Sequence, residues 1–279
     1  MALLDIDGTT VTPLKSVTRK TKQVIHRMID NGIIVCICTG RNVASTLPVA
    51  KSLGLTTPCM CIDGMIMYDP PQKKVIYESK LPNTVMRDVL SIVHRYNVNI
   101  EVITNKYYYW YLHSKEIRGY DFYTQNSNSL AIRLGSLFYK YMFGVRNIAN
   151  LDRFFTDNDQ IYEIVAIGDP SQTDSIKKDL SDHSNKDILT RMLWQNQLFI
   201  TAKDVGKSHG LRILCEHFNI SSDEVVAIGD DDNDIDMLKM AGVGVAMGNA
   251  SDEVKACADY VTLSNNEDGA AVALEELFL

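Results

Sequence analysis

Short apolar runs alternate with helix-like segments at the start of the chain, and this alternation constrains the fold more than any other feature. Residues 2–5, 33–38 and 58–62 are strand-like, and the run IIVCIC at 33–38 is apolar throughout, as in a strand that is buried on both faces. Residues 17–31 and 42–53, between these runs, place apolar side chains at helical spacing. The order β-α-β-α-β predicts a parallel sheet with helices on its faces.

The last third of the chain repeats this alternation. Its predicted strands lie at 225–228, 243–246 and 259–262, and its predicted helices at 208–219, 233–241, 251–258 and 268–277. Because the two ends of the chain share one pattern, we expect them to build a single α/β core.

The middle of the chain has a different pattern. It begins with a predicted helix at 84–96 and a predicted β-hairpin at 99–112. The remaining predictions are strand 139–145, helix 148–156, strand 161–167, helix 171–183 and two closing strands at 187–194 and 197–202. We therefore predict an α/β fold in which a Rossmann-like parallel-sheet core, residues 1–80 and 204–279, carries an inserted α+β cap domain at 81–203.

The composition excludes several classes of protein. The chain has 279 residues, of which 46% are hydrophobic and 23% charged, which is ordinary for a globular protein and excludes a disordered chain. A net charge of −7 disfavours a nucleic-acid partner, and we expect no membrane span because no run of about 18 apolar residues occurs. The start MALLDIDGTT lacks a basic segment, so we expect no signal peptide and a cytoplasmic protein with reduced cysteines.

Two carboxylates, Asp5 and Asp7, follow the first apolar run in the sequence DIDGT. Ligands bind at the carboxyl ends of parallel strands, and residues i and i+2 of a strand point to the same side. One carboxylate can attack a substrate while its neighbour donates or accepts a proton. A solvated acidic turn is the alternative for this motif taken alone.

Thr39 and Gly40 follow another strand of the predicted sheet, in the sequence TGR. A hydroxyl, together with the free backbone N–H groups of a glycine turn that opens a helix, makes a cradle for an anion. An ordinary helix N-cap is the alternative for Thr39.

Lys207 lies in the segment DVGKSHG, before a predicted helix. Its ammonium is a compact charge that suits a phosphoryl oxygen. An ordinary surface lysine is the alternative for this residue taken alone. His209 lies two residues further on, and we predict no role for it.

Acidic residues are concentrated in the sequence GDDDND, which follows the predicted strand VVAI. Their mutual repulsion disfavours a simple charged loop and favours a hard divalent cation such as Mg²⁺, which prefers carboxylate oxygens and is often shared with a substrate phosphate. We predict that Asp230 and Asp234 face this cation. Asp231 and Asp232 are explained equally well as solvated side chains.

We expect the four motifs to fall at the ends of successive strands of one sheet. Together they supply a nucleophile, an acid or base, an anion cradle, a cation and a metal site. This combination indicates phosphoryl transfer, which no single motif indicates alone.

On these residues the chain resembles the haloacid dehalogenase-like superfamily, and within it the Cof-type phosphatases of subclass IIB, which carry a C2B cap. DIDGT resembles the first motif of that family, TGR the second, Lys207 the third and GDDDND the fourth. The segments VGVAMGNASDEVKACADYVTLSNNEDG and DGMIMYD also resemble family segments. The predicted cap matches in its length and in the order of its elements.

The resemblance implies a role for each matching carboxylate. Asp5 would be the nucleophile that forms an aspartyl-phosphate, and Asp7 would be the acid and base. The Mg²⁺ cofactor would be held by Asp5, Asp230, Asp234 and the backbone carbonyl of Asp7.

The resemblance also implies a phosphate-binding set and two residues near the substrate. The phosphoryl group would be held by Thr39, Gly40, Lys207 and Asn233. Arg41 and Asp63 would lie on the substrate side, and Asp63 replaces the asparagine that the family usually has there. This replacement adds negative charge where a phosphate ester approaches.

The activity implied is hydrolysis of small phosphorylated metabolites, such as sugar phosphates or phosphorylated cofactors, by a monomer or weak homodimer. A phosphomutase shares the fold, and a phospho-accepting regulator shares the nucleophile. The predicted middle domain argues against such a regulator, because receiver domains are uncapped.

Overall fold

The computed structural model describes residues 1–113, 143–151, 154, 160–182, 187–193 and 196–279. The chain divides into two compact units. The core unit comprises Met1–Glu78 and Val205–Leu279, and the inserted unit comprises Ser79–Asp204. The core unit has an α/β fold, as the alternation at the two ends of the chain predicts.

The elements are numbered in chain order. The strands are β1 (Ala2–Leu4), β2 (Val35–Cys38), β3 (Cys59–Cys61), β4 (Ile66–Asp69), β5 (Lys74–Glu78), β6 (Asn99–Thr104), β7 (Tyr108–Tyr111), β8 (Val145–Asn147), β9 (Ile161–Ile167), β10 (Ile188–Leu193), β11 (Gln197–Ala202), β12 (Val226–Gly229), β13 (Val243–Ala246) and β14 (Tyr260–Val261). The helices are α1 (Arg19–Asp30), α2 (Val43–Ser52), α3 (Asn83–His94), α4 (Pro170–Asp182), α5 (Lys207–Phe218), α6 (Ile235–Met240), α7 (Asp252–Ala256) and α8 (Gly269–Phe278).

The core unit is built on one eight-stranded sheet. Its strands lie in the order β14, β13, β12, β1, β2, β3, β4, β5, and the strands from β14 to β3 are parallel. The residues of β1 and β2 are buried throughout, as is expected of strands covered on both faces. This arrangement confirms the parallel sheet for six of the eight strands.

The other two strands, β4 and β5, form a hairpin that the sequence analysis did not predict. β4 pairs antiparallel with β3, and β5 pairs antiparallel with β4, so the sheet is mixed rather than parallel throughout. The connecting residues 70–73, PPQK, carry a turn signal that could have identified the hairpin. The side chain of Asp69 accepts the backbone N–H of Gln72 and holds this turn.

The predicted helix at 233–241 is shorter than expected. Asp232–Asp234 form a 3₁₀ turn, and α6 follows it. The side chain of Asp234 accepts the backbone N–H groups of Asp230 and Asp231, so the chain makes a tight turn there before a regular helix begins. None of the helices in the described residues is both long enough and apolar enough to cross a membrane.

The inserted unit has its own sheet, in the order β10, β11, β9, β6, β7, β8. All of its pairs are antiparallel except β7 with β8. The hairpin predicted at 99–112 is present as β6 and β7, and the two predicted closing strands are β10 and β11. Four predicted elements lie partly outside the described residues: the strands at 139–145 and 187–194 and the helices at 148–156 and 171–183. The positions concerned are 139–142, 152, 153, 155, 156, 183 and 194.

Candidate active site

Three of the sequence motifs lie side by side because their strands are neighbours. β1 lies between β2 and β12, and all three strands are parallel. Asp5 follows β1, Thr39 follows β2, and Asp230 follows β12, so these residues share the carboxyl edge of the sheet. The side chain of Lys207, the first residue of α5, reaches the same edge.

Lys207 forms a buried ion-pair network with two carboxylates. Its Nζ lies 2.7 Å from Oδ1 of Asp5 and 2.6 Å from Oδ1 of Asp234, and its side chain is 2% exposed. Burial acts to lower the pKa of Lys207, but the two carboxylates raise it well above its usual value. Burial raises the pKa of Asp5 well above its usual value, against the effect of Lys207. A surface lysine is therefore the wrong interpretation of this residue.

The Asp230 carboxylate is fixed from two sides. Its Oδ1 accepts a hydrogen bond from Oγ1 of Thr9 at 2.7 Å, and its Oδ2 accepts one from Nδ2 of Asn249 at 3.1 Å. Burial raises its pKa to about 7, although the Thr9 hydrogen bond opposes this shift. Gly8 has a φ of +77°, and a Cβ there would collide with Oδ2 of Asp230. Only glycine therefore fits at this turn.

Asp5, Asp230 and Asp234 form a cluster of hard oxygen donors. Each offers one carboxylate oxygen, and these oxygens lie within 4.8 Å of one another. Carboxylates this close repel each other, and a divalent cation relieves that repulsion. Oδ1 of Asp5 and Oδ1 of Asp234 each accept one hydrogen bond from Lys207 and keep a second lone pair, whereas Oδ2 of Asp234 already accepts two backbone N–H groups. The donor set therefore fits Mg²⁺ in its chemistry.

The Asp7 side chain is placed differently from the strand geometry that we predicted. β1 ends at Leu4, so Asp5 and Asp7 are not residues i and i+2 of one strand. The guanidinium of Arg41 donates two hydrogen bonds to the Asp7 carboxylate, at 2.6 Å and 2.7 Å, and Nζ of Lys15 donates a third at 2.5 Å. Burial acts to raise the pKa of Asp7, but Arg41 and Lys15 lower it to about 2.

Thr39 and Gly40 lie at the end of β2, but no helix opens at the glycine. The N-cap of α2 is Asn42, so the interpretation of Thr39 as a helix N-cap is wrong. Thr39 is buried, and its Oγ1 accepts the backbone N–H of Arg41 at 3.2 Å. Arg41, which we expected on the substrate side, is buried and directs its guanidinium at Asp7.

Asp63 and Asn233 meet beside Gly40. Nδ2 of Asn233 donates to Oδ1 of Asp63 at 3.0 Å. The same oxygen lies 3.2 Å from the position that a Cβ on Gly40 would take. Asp63 has a φ of +47°, a left-handed conformation in which aspartate and asparagine are enriched. The Asp63 carboxylate therefore brings negative charge next to the predicted anion cradle.

Three side chains of the site were not predicted from the sequence: Thr9, Lys15 and Asn249. Thr9 belongs to the DIDGT motif, and Asn249 belongs to the segment MGNAS at the end of β13, so the position of both residues after a strand was an available signal. No pattern marked Lys15. Asp231 and Asp232 are exposed, in agreement with their interpretation as solvated side chains.

Nearly the whole chain matches one protein family. The model of the haloacid dehalogenase-like hydrolase family matches residues 2–274. The match spans both parts of the core unit and contains every residue of the site described above.

Similar proteins and structures match along their full length. A Bacillus subtilis protein named 5-amino-6-(5-phospho-D-ribitylamino)uracil phosphatase is 29% identical, over 99% of this chain and 96% of its own. The phosphatase YwpJ of Bacillus subtilis is 25% identical, over 98% of both chains. The solved structure of a haloacid dehalogenase-like hydrolase from B. subtilis has a TM-score of 0.82 and 25% identity, over 99% of both chains.

Proposed function

Because the chain belongs to the haloacid dehalogenase-like hydrolase family and is a phosphatase of that family, we propose that it hydrolyses small phosphorylated metabolites, such as sugar phosphates or phosphorylated cofactors. The reaction uses Mg²⁺ and passes through an aspartyl-phosphate on Asp5. The observation that carries the proposal is the buried network in which Lys207 joins Asp5 to Asp234, with Asp230 beside them. One similar protein is named as a phosphatase of a phosphorylated ribitylaminouracil, and this name supports the proposed class of substrate.

In the proposed reaction, a carboxylate oxygen of Asp5 attacks the phosphorus atom while the bond from phosphorus to the ester oxygen breaks, and the alcohol leaves with a proton from Asp7. Lys207 is held next to the attacking carboxylate before substrate arrives, so its charge is already in place for a phosphoryl oxygen. The hydroxyl of Thr39, the backbone N–H of Gly40 and the amide of Asn233 bind the phosphoryl group. Preorganised donors of this kind stabilise the charge that develops in the transition state.

We propose that the metal ligands are the carboxylates that cluster at the sheet edge and the backbone carbonyl of Asp7. These carboxylates belong to Asp5, Asp230 and Asp234. When bound, Mg²⁺ neutralises phosphoryl oxygens and orients the ester for displacement. Thr9 and Asn249 hold the Asp230 carboxylate in one orientation from both sides. They thereby keep its oxygens directed at the cluster.

We expect hydrolysis to depend on Mg²⁺. Treatment with a chelator should abolish release of inorganic phosphate, and added Mg²⁺ should restore it, because Asp5, Asp230, Asp234 and the substrate phosphate otherwise repel each other. The measurement is phosphate release from a panel of phosphorylated metabolites and from nitrophenyl phosphate. Ca²⁺ should inhibit, since its looser coordination misplaces the attacking oxygen. Full activity after exhaustive chelation would contradict the assigned metal site.

The same panel distinguishes the alternatives. A phosphomutase would transfer the phosphoryl group within its substrate without releasing phosphate. A phospho-accepting regulator would accumulate phosphorylated Asp5. We assign the inserted unit, Ser79–Asp204, to the cap domain of the family and expect its residues to decide which member of the panel reacts.

Asp7 is expected to be the acid and base, and the dependence on the leaving group tests this role. In Asp7→Ala, the rate of the first step, in which the aspartyl-phosphate forms, should fall about 10²–10⁴-fold on an alkyl phosphate. It should fall much less on nitrophenyl phosphate, because nitrophenolate leaves without a proton. The pKa of about 2 means that the carboxylate rests ionised but is a weak base, so we expect Asp7 to leave Arg41 and Lys15 before it accepts a proton from the water that hydrolyses the intermediate. With nitrophenyl phosphate, the variant should therefore show a burst and accumulate phosphorylated Asp5.

The control for this experiment is Asp232→Ala, which removes an exposed carboxylate from the acidic loop. It should leave both rates within about twofold of the wild type, as substitutions at exposed sites usually do. Equal losses on both esters in Asp7→Ala, without a burst, would mean that Asp7 only positions its neighbours.

A further inference from the structure

The first turn of α5 carries Lys207 into the site but lacks a side-chain cap. Its N-cap is Gly206, which has no side chain to accept a hydrogen bond from the helix. The first N–H groups of a helix have no partner within the helix, and a turn without a cap is less stable than a capped one. The position of Lys207 therefore depends on its own ion pairs with Asp5 and Asp234 and on tertiary contacts of the residues that follow it.

His209 makes such a contact. Its Nδ1 lies 2.7 Å from Nη2 of Arg212, and its Nε2 lies 2.7 Å from the hydroxyl of Tyr77. A guanidinium can only donate hydrogen bonds, so Nδ1 is the acceptor of a neutral imidazole. Nε2 therefore carries the ring proton and donates it to Oη of Tyr77.

This hydrogen bond joins α5 to the edge of the core sheet. Tyr77 lies on β5, the last strand of the sheet, and the rings of Tyr77 and His209 are 5.7 Å apart. The same helical turn also lies against the β3–β4 connection, where the Cα of Gly64 is 3.1 Å from the position of a Cβ on Gly210. The turn is thus held by a backbone contact on one side and by His209 on another.

We propose that His209 is a positioning residue for Lys207. By donating to Tyr77, it fixes the first turn of α5 and keeps the Lys207 ammonium between Asp5 and Asp234. The inference rests on the proposed phosphate-binding role of Lys207. Displacement of a reacting group by about 1 Å is enough to reduce a rate strongly. A small shift of this turn would therefore move the Lys207 ammonium and lower the reaction rate.

Tyr77→Phe tests the proposal by removing only the hydroxyl that accepts the hydrogen bond. We expect kcat/KM for nitrophenyl phosphate to fall, and the inhibition constant of inorganic phosphate to rise, by about threefold to tenfold, as for loss of one hydrogen bond. Amide hydrogen exchange in a peptide covering 205–213 should become faster, because the turn opens more often. The matched control is Tyr68→Phe, on the neighbouring strand β4, which should change none of these quantities.

His209 itself is tested with a loss variant and a conservative one. His209→Ala should show the same changes as Tyr77→Phe. His209→Gln should restore them to within about twofold of the wild type, because a carboxamide has both a donor and an acceptor, as a neutral imidazole does. The control is His217→Ala in the last turn of α5, where the imidazole packs against Phe218 with ring centroids 4.8 Å apart.

The outcomes separate this inference from the proposed function. If the wild type hydrolyses esters but Tyr77→Phe and His209→Ala keep its phosphate inhibition constant and exchange rates, His209 has no positioning role. If the wild type hydrolyses no ester, the proposed function fails, and hydrogen exchange still decides whether His209 and Tyr77 hold the turn. Loss of activity with a lowered melting temperature and uniformly faster exchange would show a general structural defect and would overturn the proposal.

Discussion

Asp5→Asn is expected to lose at least about 10³-fold of the phosphatase activity, a loss in the range seen when a catalytic nucleophile is removed. The amide keeps the size and planar geometry of the carboxylate but cannot attack phosphorus as an anion. The variant should remain folded, because it removes one of three mutually repelling carboxylates and leaves Asp234 to pair with Lys207. Phosphate release at saturating Mg²⁺, together with the melting temperature, measures both effects.

The matched control for this variant is Asp232→Asn. It makes the same chemical change on the exposed side of the acidic loop and should keep full activity. Intact-mass measurement excludes deamidation of the introduced amide back to a carboxylate. Phosphate release near the wild-type rate from a verified Asp5→Asn preparation would show that another group, or water directly, attacks the phosphorus.

Lys207→Met is expected to damage both activity and stability. Its buried ammonium is within 2.7 Å of Asp5 and 2.6 Å of Asp234, and methionine leaves these two carboxylates without a cation between them. Removal of one partner from a buried ion pair costs about 3–5 kcal/mol in the free energy of unfolding. Activity should fall at least about 10²-fold, as when one preorganised electrostatic group is removed. Chemical denaturation in the presence of a chelator and phosphate-release kinetics measure the two losses.

The stability deficit of Lys207→Met should grow as pH rises. Burial already raises the pKa of Asp5, and Lys207 opposes this rise, so the variant raises the pKa of folded Asp5 further. A carboxyl group with a raised pKa in the folded state holds its proton more tightly there than in the unfolded chain. Its contribution to stability is therefore complete below the unfolded pKa and is lost as pH rises through the folded pKa.

The control for Lys207→Met is Lys239→Met, which removes an exposed ammonium on α6. Its unfolding free energy should stay within about 0.5 kcal/mol of the wild type at every pH, because exposed substitutions have small effects. A deficit in Lys207→Met that shrinks as pH rises would contradict the assignment of Lys207 as the cation shared by these carboxylates.

Much of the fold was predictable because it depends on local patterns. The apolar run IIVCIC predicted β2, and the spacing of Val24, Ile25, Met28 and Ile29 predicted α1. The helix buries the first three of these side chains but leaves Ile29 exposed. The β4–β5 hairpin was missed because its outer strand, β5, is half exposed. A strand at the edge of a sheet carries a weaker apolar pattern than one buried on both faces.

The residues of the site were predictable to the extent that their strands end at one edge. The motifs after β1, β2 and β12 could be placed together because carboxyl ends of neighbouring parallel strands meet. The partners of Asp7 could not be placed from the sequence. Lys15 reaches it across a turn and Arg41 from the loop after β2, and their contacts depend on side-chain directions that no spacing encodes.

The sequence by itself determined the α/β class, the order of the core elements apart from the β4–β5 hairpin, and the residue types at the strand ends, because helical and strand periodicity act between near neighbours. Only the tertiary structure decided that Lys207 is buried between Asp5 and Asp234, that Thr9 and Asn249 hold Asp230, and that His209 donates to Tyr77. Most of these contacts join residues that are far apart in the chain. Hydrogen bonds and ion pairs require atoms to approach within about 3 Å, and packing of the whole core unit sets those distances.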